Sequence, residues 1–204
     1  MGAHGALRVL GLTGPVAGGK TAAAGMLKRR GARVIELDAV GHEILAEPAV
    51  RAEVAAAFPP VAGLADPVET RRRLAEIVFA DPRELAKLER ILHVRMCARV
   101  RSEVEAAKRS GRPGLVVIAG ALVFEMGLDE LCDAVIFVDA PRAERLRRAR
   151  ASRGWTEEEV ARREARQMPV EGKRLRADRV IDNAGTEKEL EAAVAAIWEE
   201  FGCQ

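Results

Sequence analysis

The sequence predicts an α/β fold built on a five-stranded parallel sheet flanked by helices, and three observations support that class. A glycine-rich turn, Gly14 through Thr21, stands between an apolar run and a helix-forming run. Five short apolar runs suited to buried parallel strands recur at 7–13, 33–37, 115–119, 134–138 and 179–181. Helical stretches separate them, which implies a layered structure with right-handed crossovers. The gap of about 75 residues between the second and third runs is far longer than an ordinary crossover and has no strand pattern, so it reads as a helical insertion.

The first strand, Leu7-Arg8-Val9-Leu10-Gly11-Leu12-Thr13, leads into Gly14-Pro15-Val16-Ala17-Gly18-Gly19-Lys20-Thr21, which fits GxxxxGK[ST]. The following helix runs from Ala22 to Arg30 and stops at Gly31. Strand, glycine turn and helix form the context that confirms a phosphate-binding loop. Glycines let successive N–H groups turn inward around an anion, and the positive end of the helix dipole adds to that field. Gly14, Ala17, Gly18, Gly19, Lys20, Thr21 and Ala22 are therefore assigned to binding a nucleoside triphosphate. Lys20 reaches the β- and γ-phosphates, and the Thr21 hydroxyl is the expected protein ligand to Mg²⁺.

The second strand, Val34-Ile35-Glu36-Leu37, ends at Asp38, on the sheet edge where open α/β folds bind ligands. Asp38 can touch Mg²⁺ through water, accept the proton of an attacking hydroxyl, or cap a helix starting at Ala39. These roles are compatible. Asp38-Ala39-Val40-Gly41 also matches a GTPase DxxG, but the chain has no NKxD motif and the spacing from Lys20 is too short. The insertion, about 46–111, carries helical candidates near 49–58 and 67–79, split by Pro59-Pro60 and Gly63. A third opens at Asp81-Pro82, an N-cap followed by proline at the first helical position, and runs towards Ser110-Gly111. This insertion reads either as a substrate-binding subdomain or as a helical layer over the sheet. His93 lies on its long helix and reads, from periodicity, as a hydrogen-bonded packing residue.

Arginines crowd 142–179. Guanidinium donors stabilise charge spread over a moving phosphoryl group, so a lid at about 142–170 is expected, with Arg147, Arg148, Arg150, Arg153 and Arg163 as candidates and Arg148 assigned to catalysis. Singly, each arginine also reads as a solvated helix face paired with Glu157, Glu158, Glu159 or Glu164. Capping boxes Thr156/Glu159 and Thr186/Glu189 open two later helices, the last with an apolar face of Leu190, Val194, Ile197 and Phe201. Trp155 and Trp198 are expected to pack.

At 204 residues the chain suffices for one domain with a sizeable core, filled mainly by Ala, Val, Leu and Ile because aromatics make up only 3%. The net charge of +2 argues for no nucleic-acid and no membrane partner. No apolar run approaches the roughly 18 residues of a membrane span. The N-terminus leads straight into the first strand without a signal peptide, and Ala6 stands where myristoylation after Gly2 needs Ser or Thr. Cys97, Cys132 and Cys203 are scattered and odd in number, so neither a disulfide framework nor a metal site is expected. The chain reads as cytoplasmic, and as a monomer or small homo-oligomer.

In order, these pieces resemble the dephospho-coenzyme A kinase family over nearly the whole chain. The pattern LTGxxxxGK[ST] is matched from Leu12 to Thr21, and V-I-D-x-D by Val34-Ile35-Glu36-Leu37-Asp38. R-x-x-L-x-x-x-V-F is matched by Arg71, Leu74, Val78 and Phe79, and L-E-x-x-x-H-P by Leu88-Glu89 through His93-Val94. PLLFE becomes Ala121-Leu122-Val123-Phe124-Glu125, R-x-x-x-Q matches Arg163 and Gln167, and A-D-x-V-I-x-N-x-G runs from Ala177 to Gly185. The resemblance implies a P-loop kinase fold, a single domain over 1–204 with its core at about 1–45 and 112–204, and use of ATP and Mg²⁺. It implies phosphorylation of the ribose 3′-hydroxyl of dephospho-coenzyme A, the last step of coenzyme A synthesis. By the same resemblance Asp38 is the base, and Arg71, His93, Phe124 and Glu125 join it in holding the acceptor. Asn183 and Gly185 then lie near the adenine of ATP. The departures are Ala119 for an acid, Ala121 and Val94 for prolines, Glu36 for the first acid of its strand, and Ser152 where a lid arginine is usual, with Arg153 following. Another P-loop small-molecule or nucleoside kinase, and a nucleotide-binding regulator without transfer activity, are the alternatives.

Overall fold

Hydrogen bonding of all five apolar runs into one sheet organises the chain. The computed structural model describes residues 7–64, 66–112 and 114–202. Residues 1–6 and Cys203, on which the leader, lipidation and one cysteine expectation bear, lie outside the described residues, as does the side chain of Phe79. The strands are β1 (Arg8–Thr13), β2 (Arg33–Glu36), β3 (Leu115–Ala119), β4 (Ala134–Asp139) and β5 (Arg179–Asp182), each within one residue of its expected bounds. They pair in parallel in the order β2-β3-β1-β4-β5. The chain leaves β1 towards one edge and β4 towards the other, so a crevice opens between their carboxyl ends.

The register is held at the amino edge by two aspartates. Val9 N donates to Asp133 Oδ2 at 2.7 Å while Asp133 N donates to Val9 O at 2.7 Å. Asp178 repeats this one strand over: Val135 N donates to its Oδ2 at 2.7 Å, and Asp178 N donates to Val135 O at 2.9 Å. Each carboxylate thus takes an N–H at a strand start, where backbone donors must still find an acceptor.

Two helices, α1 (Lys20–Arg29) and α9 (Glu187–Phe201), bring Ala23, Met26, Leu27, Leu190, Val194 and Ile197 onto the sheet residues Leu10, Leu12, Val117, Ile136 and Val138. Full burial of each such Leu, Ile or Val is worth roughly 1.5–3 kcal/mol. Trp198 packs against this core, as expected. Both capping boxes form: Thr156 opens the helix Glu157–Glu164, and Thr186 opens α9.

The chain divides into two compact units, 1–37 with 101–204, and 38–100. The sequence reading puts the insertion at about 46–111, so the second unit starts earlier and ends earlier than that. The helix α2 (Leu37–Ala46) starts two residues before the expected Ala39. Leu37, 2% exposed, fills the notch that Gly120 leaves; a Cβ there would lie 2.5 Å from Leu37 Cδ1. Asp38 consequently sits inside the first turn of α2, exposed, and is not its N-cap.

In the second unit follow α3 (Pro48–Ala57), a 3₁₀ turn (Pro59–Val61), α4 (Pro67–Ala80) and α5 (Pro82–Arg109), whose last residues, 101–109, belong to the first unit. Asp66 caps α4 by accepting from Val68 N at 2.9 Å. Asp81 does the same for α5, accepting from Arg83 N at 2.8 Å. With Val94 in place of a helix-ending proline, α5 runs unbroken for 28 residues. Its Arg95 pairs with Glu53 of α3 and its Arg99 with Glu43 and Glu47. A cavity of about 440 Å³ lies among Leu45, Arg51, Val54, Val61 and Leu64.

Candidate active site

The turn between β1 and α1 has the backbone of an anion cradle. Gly14 (φ 151°) and Gly19 (φ 105°) occupy conformations that L side chains rarely adopt, and Ala17 (φ 57°) is left-handed without being glycine. Space is equally restrictive: a Cβ at Gly14 would lie 2.3 Å from the carbonyl oxygen of Val138, and one at Gly18 2.8 Å from the same atom. The turn is thus pressed onto the end of β4, and only glycine permits that approach. Lys20 opens α1 and folds back, Nζ donating to Gly14 O at 3.0 Å and Pro15 O at 2.8 Å. The ammonium is held at the mouth of the turn together with the amino end of α1, where a polyphosphate is best stabilised.

Asn183, at the end of β5 and 5% exposed, locks the turn from the far side. Its Nδ2 donates to Gly18 O at 2.9 Å, and its own N–H donates to Asp139 O at 2.7 Å. A Cβ at Gly19 would fall 2.0 Å from Asn183 Nδ2, so Gly19 and Asn183 occupy the space jointly. Gly185 follows in an exposed turn in which Ala184 N donates to Asp182 Oδ1 at 2.9 Å.

The arginine-rich region forms α6 (Arg142–Arg153), α7 (Glu157–Glu164) and α8 (Val170–Arg176). Val16, at the tip of the glycine turn, is buried with Ala149 of α6 and Val160 of α7, against Leu146 and Trp155. Of the five candidate arginines, Arg148 comes to the turn: Nη2 donates to Asn183 O at 3.0 Å, and Nη1 lies 3.8 Å from the place of a Cβ on Gly19. Its Nε donates to Glu144 at 2.7 Å. Arg147 chelates the same carboxylate through Nε at 2.8 Å and Nη2 at 2.7 Å. Arg147 first, then Arg148, holds the Glu144 carboxyl at about 2, well below its ordinary range. Arg150 is exposed. Arg153 and Arg163 stack on Trp155, 4.7 and 3.9 Å from the ring centroid, and burial pushes the Arg163 guanidinium below its usual value.

Arg145 escapes sequence reasoning. It is 6% exposed, donates through Nε to Ala140 O at 3.1 Å and through Nη1 to Val16 O at 3.4 Å, and pairs with Glu164. It ties α6 and α7 to the tip of the phosphate turn. In sequence it is one arginine among many and nothing local marks it out, whereas in the structure it shares Glu164 with Arg142.

Of the acceptor candidates, Phe124 and Glu125 lie in the first unit and Asp38, Arg71 and His93 in the second. Phe124 is buried beneath Arg176, whose guanidinium sits 4.4 Å from the ring centroid. Glu125 pairs with Lys173 at 2.7 Å and accepts from Met168 N at 2.8 Å. Arg71 on α4 and His93 on α5 are half-buried. Thr21 is exposed in the first turn of α1, a hard oxygen donor beside the phosphate turn. That fits Mg²⁺, which keeps waters and takes phosphate oxygens with few protein ligands. Among the described residues no group of three or more His, Cys, Asp or Glu gathers as a metal cage.

A family model described as dephospho-CoA kinase matches residues 8–189. A dephospho-CoA kinase of Deinococcus radiodurans is 41% identical over 191 residues, 93% of this chain and 90% of that protein. One of Thermobifida fusca is 40% identical over 94% of this chain and 95% of that protein. Among solved structures, TT1252 from Thermus thermophilus superposes with a TM-score of 0.77 at 34% identity, covering 96% of this chain and 98% of that one. No helix of the described residues is long and apolar enough to cross a membrane.

Proposed function

The chain belongs to the dephospho-CoA kinase family, and on that premise we propose that it transfers the γ-phosphoryl group of ATP to the ribose 3′-hydroxyl of dephospho-coenzyme A, giving coenzyme A and ADP. The observation that carries this reading is the glycine turn locked between Val138 and Asn183, with Lys20 at its mouth. Its backbone N–H groups and the Lys20 ammonium would bind the β- and γ-phosphates. Arg148, anchored on Asn183 and Glu144, would neutralise charge on the moving group.

Asp38 would act as general base. Its carboxylate takes the proton of the acceptor hydroxyl as that oxygen bonds to γ-phosphorus, and the bond from phosphorus to the β,γ-bridging oxygen breaks to release ADP. Thr21 would hold Mg²⁺, which would supply charge neutralisation when bound. The turn with Asn183 and Gly185 would flank the adenine. Phe124, Glu125, Arg71 and His93 are proposed to hold the acceptor, and the cavity beside Arg51 offers the insertion room for part of a long ligand. The proposed location is the cytoplasm, in keeping with three cysteines scattered through the sequence.

The test is an acceptor panel with γ-labelled ATP. Label in the 3′-phosphate of coenzyme A is the expected result. Labelling of nucleosides, but not of dephospho-coenzyme A, would overturn the reading.

A further inference from the structure

Lys173 has 1% of its surface exposed, and the transfer chemistry assigns it nothing. An ammonium taken out of water needs all three of its donors met. Here they are met by Ala121 O, by Gln167 Oε1 at 3.2 Å and by Glu125 Oε1 at 2.7 Å. Those acceptors belong to two separate stretches of chain. Ala121 and Glu125 lie in the turn after β3, and Gln167 lies where the lid segment leaves α7 for α8.

Further bonds converge on the same partners. Glu125 Oε1 also accepts from Met168 N at 2.8 Å, next to Gln167. Ala121 O also accepts from Thr13 Oγ1 at 3.5 Å, and Thr13 is fully buried at the end of β1, one residue before Gly14. α8 grips the same region twice more, through Arg176 stacked on Phe124 at 4.4 Å and paired with Asp129 at 2.7 Å.

We infer that Lys173 is a positioning residue whose ammonium, through Glu125 and Gln167, holds the end of the lid segment and the Phe124–Glu125 turn as one block. The inference rests on the kinase reading in so far as that turn faces the acceptor. Its physical core is independent of that reading: one buried cation serves both segments, so neither can shift alone without stranding a charge.

Two variants separate positioning from mere stability. Lys173→Met leaves Glu125 without its cation and is expected to lower the melting temperature. The double variant Lys173→Met, Glu125→Met removes both charges at similar volume and is expected to recover much of that loss. The kinetic readout belongs to Lys173→Met, which keeps Glu125: if Lys173 positions the turn, this variant, assayed well below its melting temperature, shows a KM for dephospho-coenzyme A raised about tenfold, with the KM for ATP within about twofold of the parent. Lys173→Met with wild-type kinetics, its only loss being stability, would overturn the inference. A second readout needs no activity: amide exchange in Lys173→Met is expected to accelerate together at 121–126 and 167–168. Acceleration in only one of these segments would also overturn it. Failure of the unmodified protein to phosphorylate dephospho-coenzyme A would sink the kinase reading and leave the exchange result to decide this one.

Discussion

Asn183 Nδ2 donates to the Gly18 carbonyl oxygen at 2.9 Å across 165 residues of sequence, joining the end of the last strand to the phosphate turn. The bond fixes the turn before any ligand arrives, because Gly18 is itself pressed on Val138 and cannot back away. Preorganisation of this kind spares the nucleotide the cost of ordering the loop.

Asn183→Ala is therefore expected to destabilise the fold by about 1–3 kcal/mol, the usual penalty of a stranded buried acceptor, and to raise the KM for ATP. Gly19→Ala is expected to be worse, since its Cβ would meet Asn183 Nδ2 at 2.0 Å and its φ is 105°. Combining the two substitutions relieves the clash but not the backbone strain, so recovery is expected to be partial. Thermal melts and ATP titration of the three variants check this.

Arg148 is the arginine of α6 that contacts the Asn183 carbonyl, so Arg148→Ala is expected to lower kcat by about 10²–10³-fold. Arg150→Ala, on an exposed position two residues away, is expected to change kcat less than twofold, within the ordinary range of surface changes. Steady-state kinetics of the pair decide it. Equal effects would mean that general positive charge, and not the Asn183 anchor, is what matters.

Asp38→Asn keeps the shape of the first turn of α2 but cannot take a proton. A fall in kcat of about 10²–10⁴-fold with ATP affinity nearly unchanged is expected. Turnover at the wild-type rate would remove Asp38 from the role of base.

What was legible in the sequence divides along physical lines. Buried parallel strands read as unbroken apolar runs, so Leu10, Val117 and Ile136 announce their strands to within a residue. Leu37 misleads for the same reason: it extends the apolar run of β2, yet its side chain turns into the notch above Gly120 and α2 has already begun. The glycine turn was legible because Gly14 and Gly19 need backbone angles that other residues avoid, although Ala17 adopts such an angle unannounced. Arg145 and Lys173 were illegible because their burial depends on partners far along the chain, Val16 for one and Glu125 for the other. Among many arginines and lysines nothing local distinguishes a cation destined for the interior.

Cys132 gives a pH signature. Burial first, then Asp129, Asp133 and Asp178, pushes its thiol up to about 12 from an ordinary 9.0. A raised pKa favours the protonated form in the folded state, so this contribution is complete below about pH 9 and is lost as pH rises towards 12. The slope from one such group is at most ~1.4 kcal/mol per pH unit. Urea midpoints at pH 7.5 and pH 10.5 are expected to fall further for the parent than for Cys132→Ala. Equal falls would show that the thiol ionises freely.

Coupled ADP release, measured with and without dephospho-coenzyme A, tests the central claim most directly. Release that is slow with ATP alone, rises at least a hundredfold on adding dephospho-coenzyme A and disappears in Lys20→Ala is the expected result. Tight ATP binding with ADP release indifferent to dephospho-coenzyme A would contradict it.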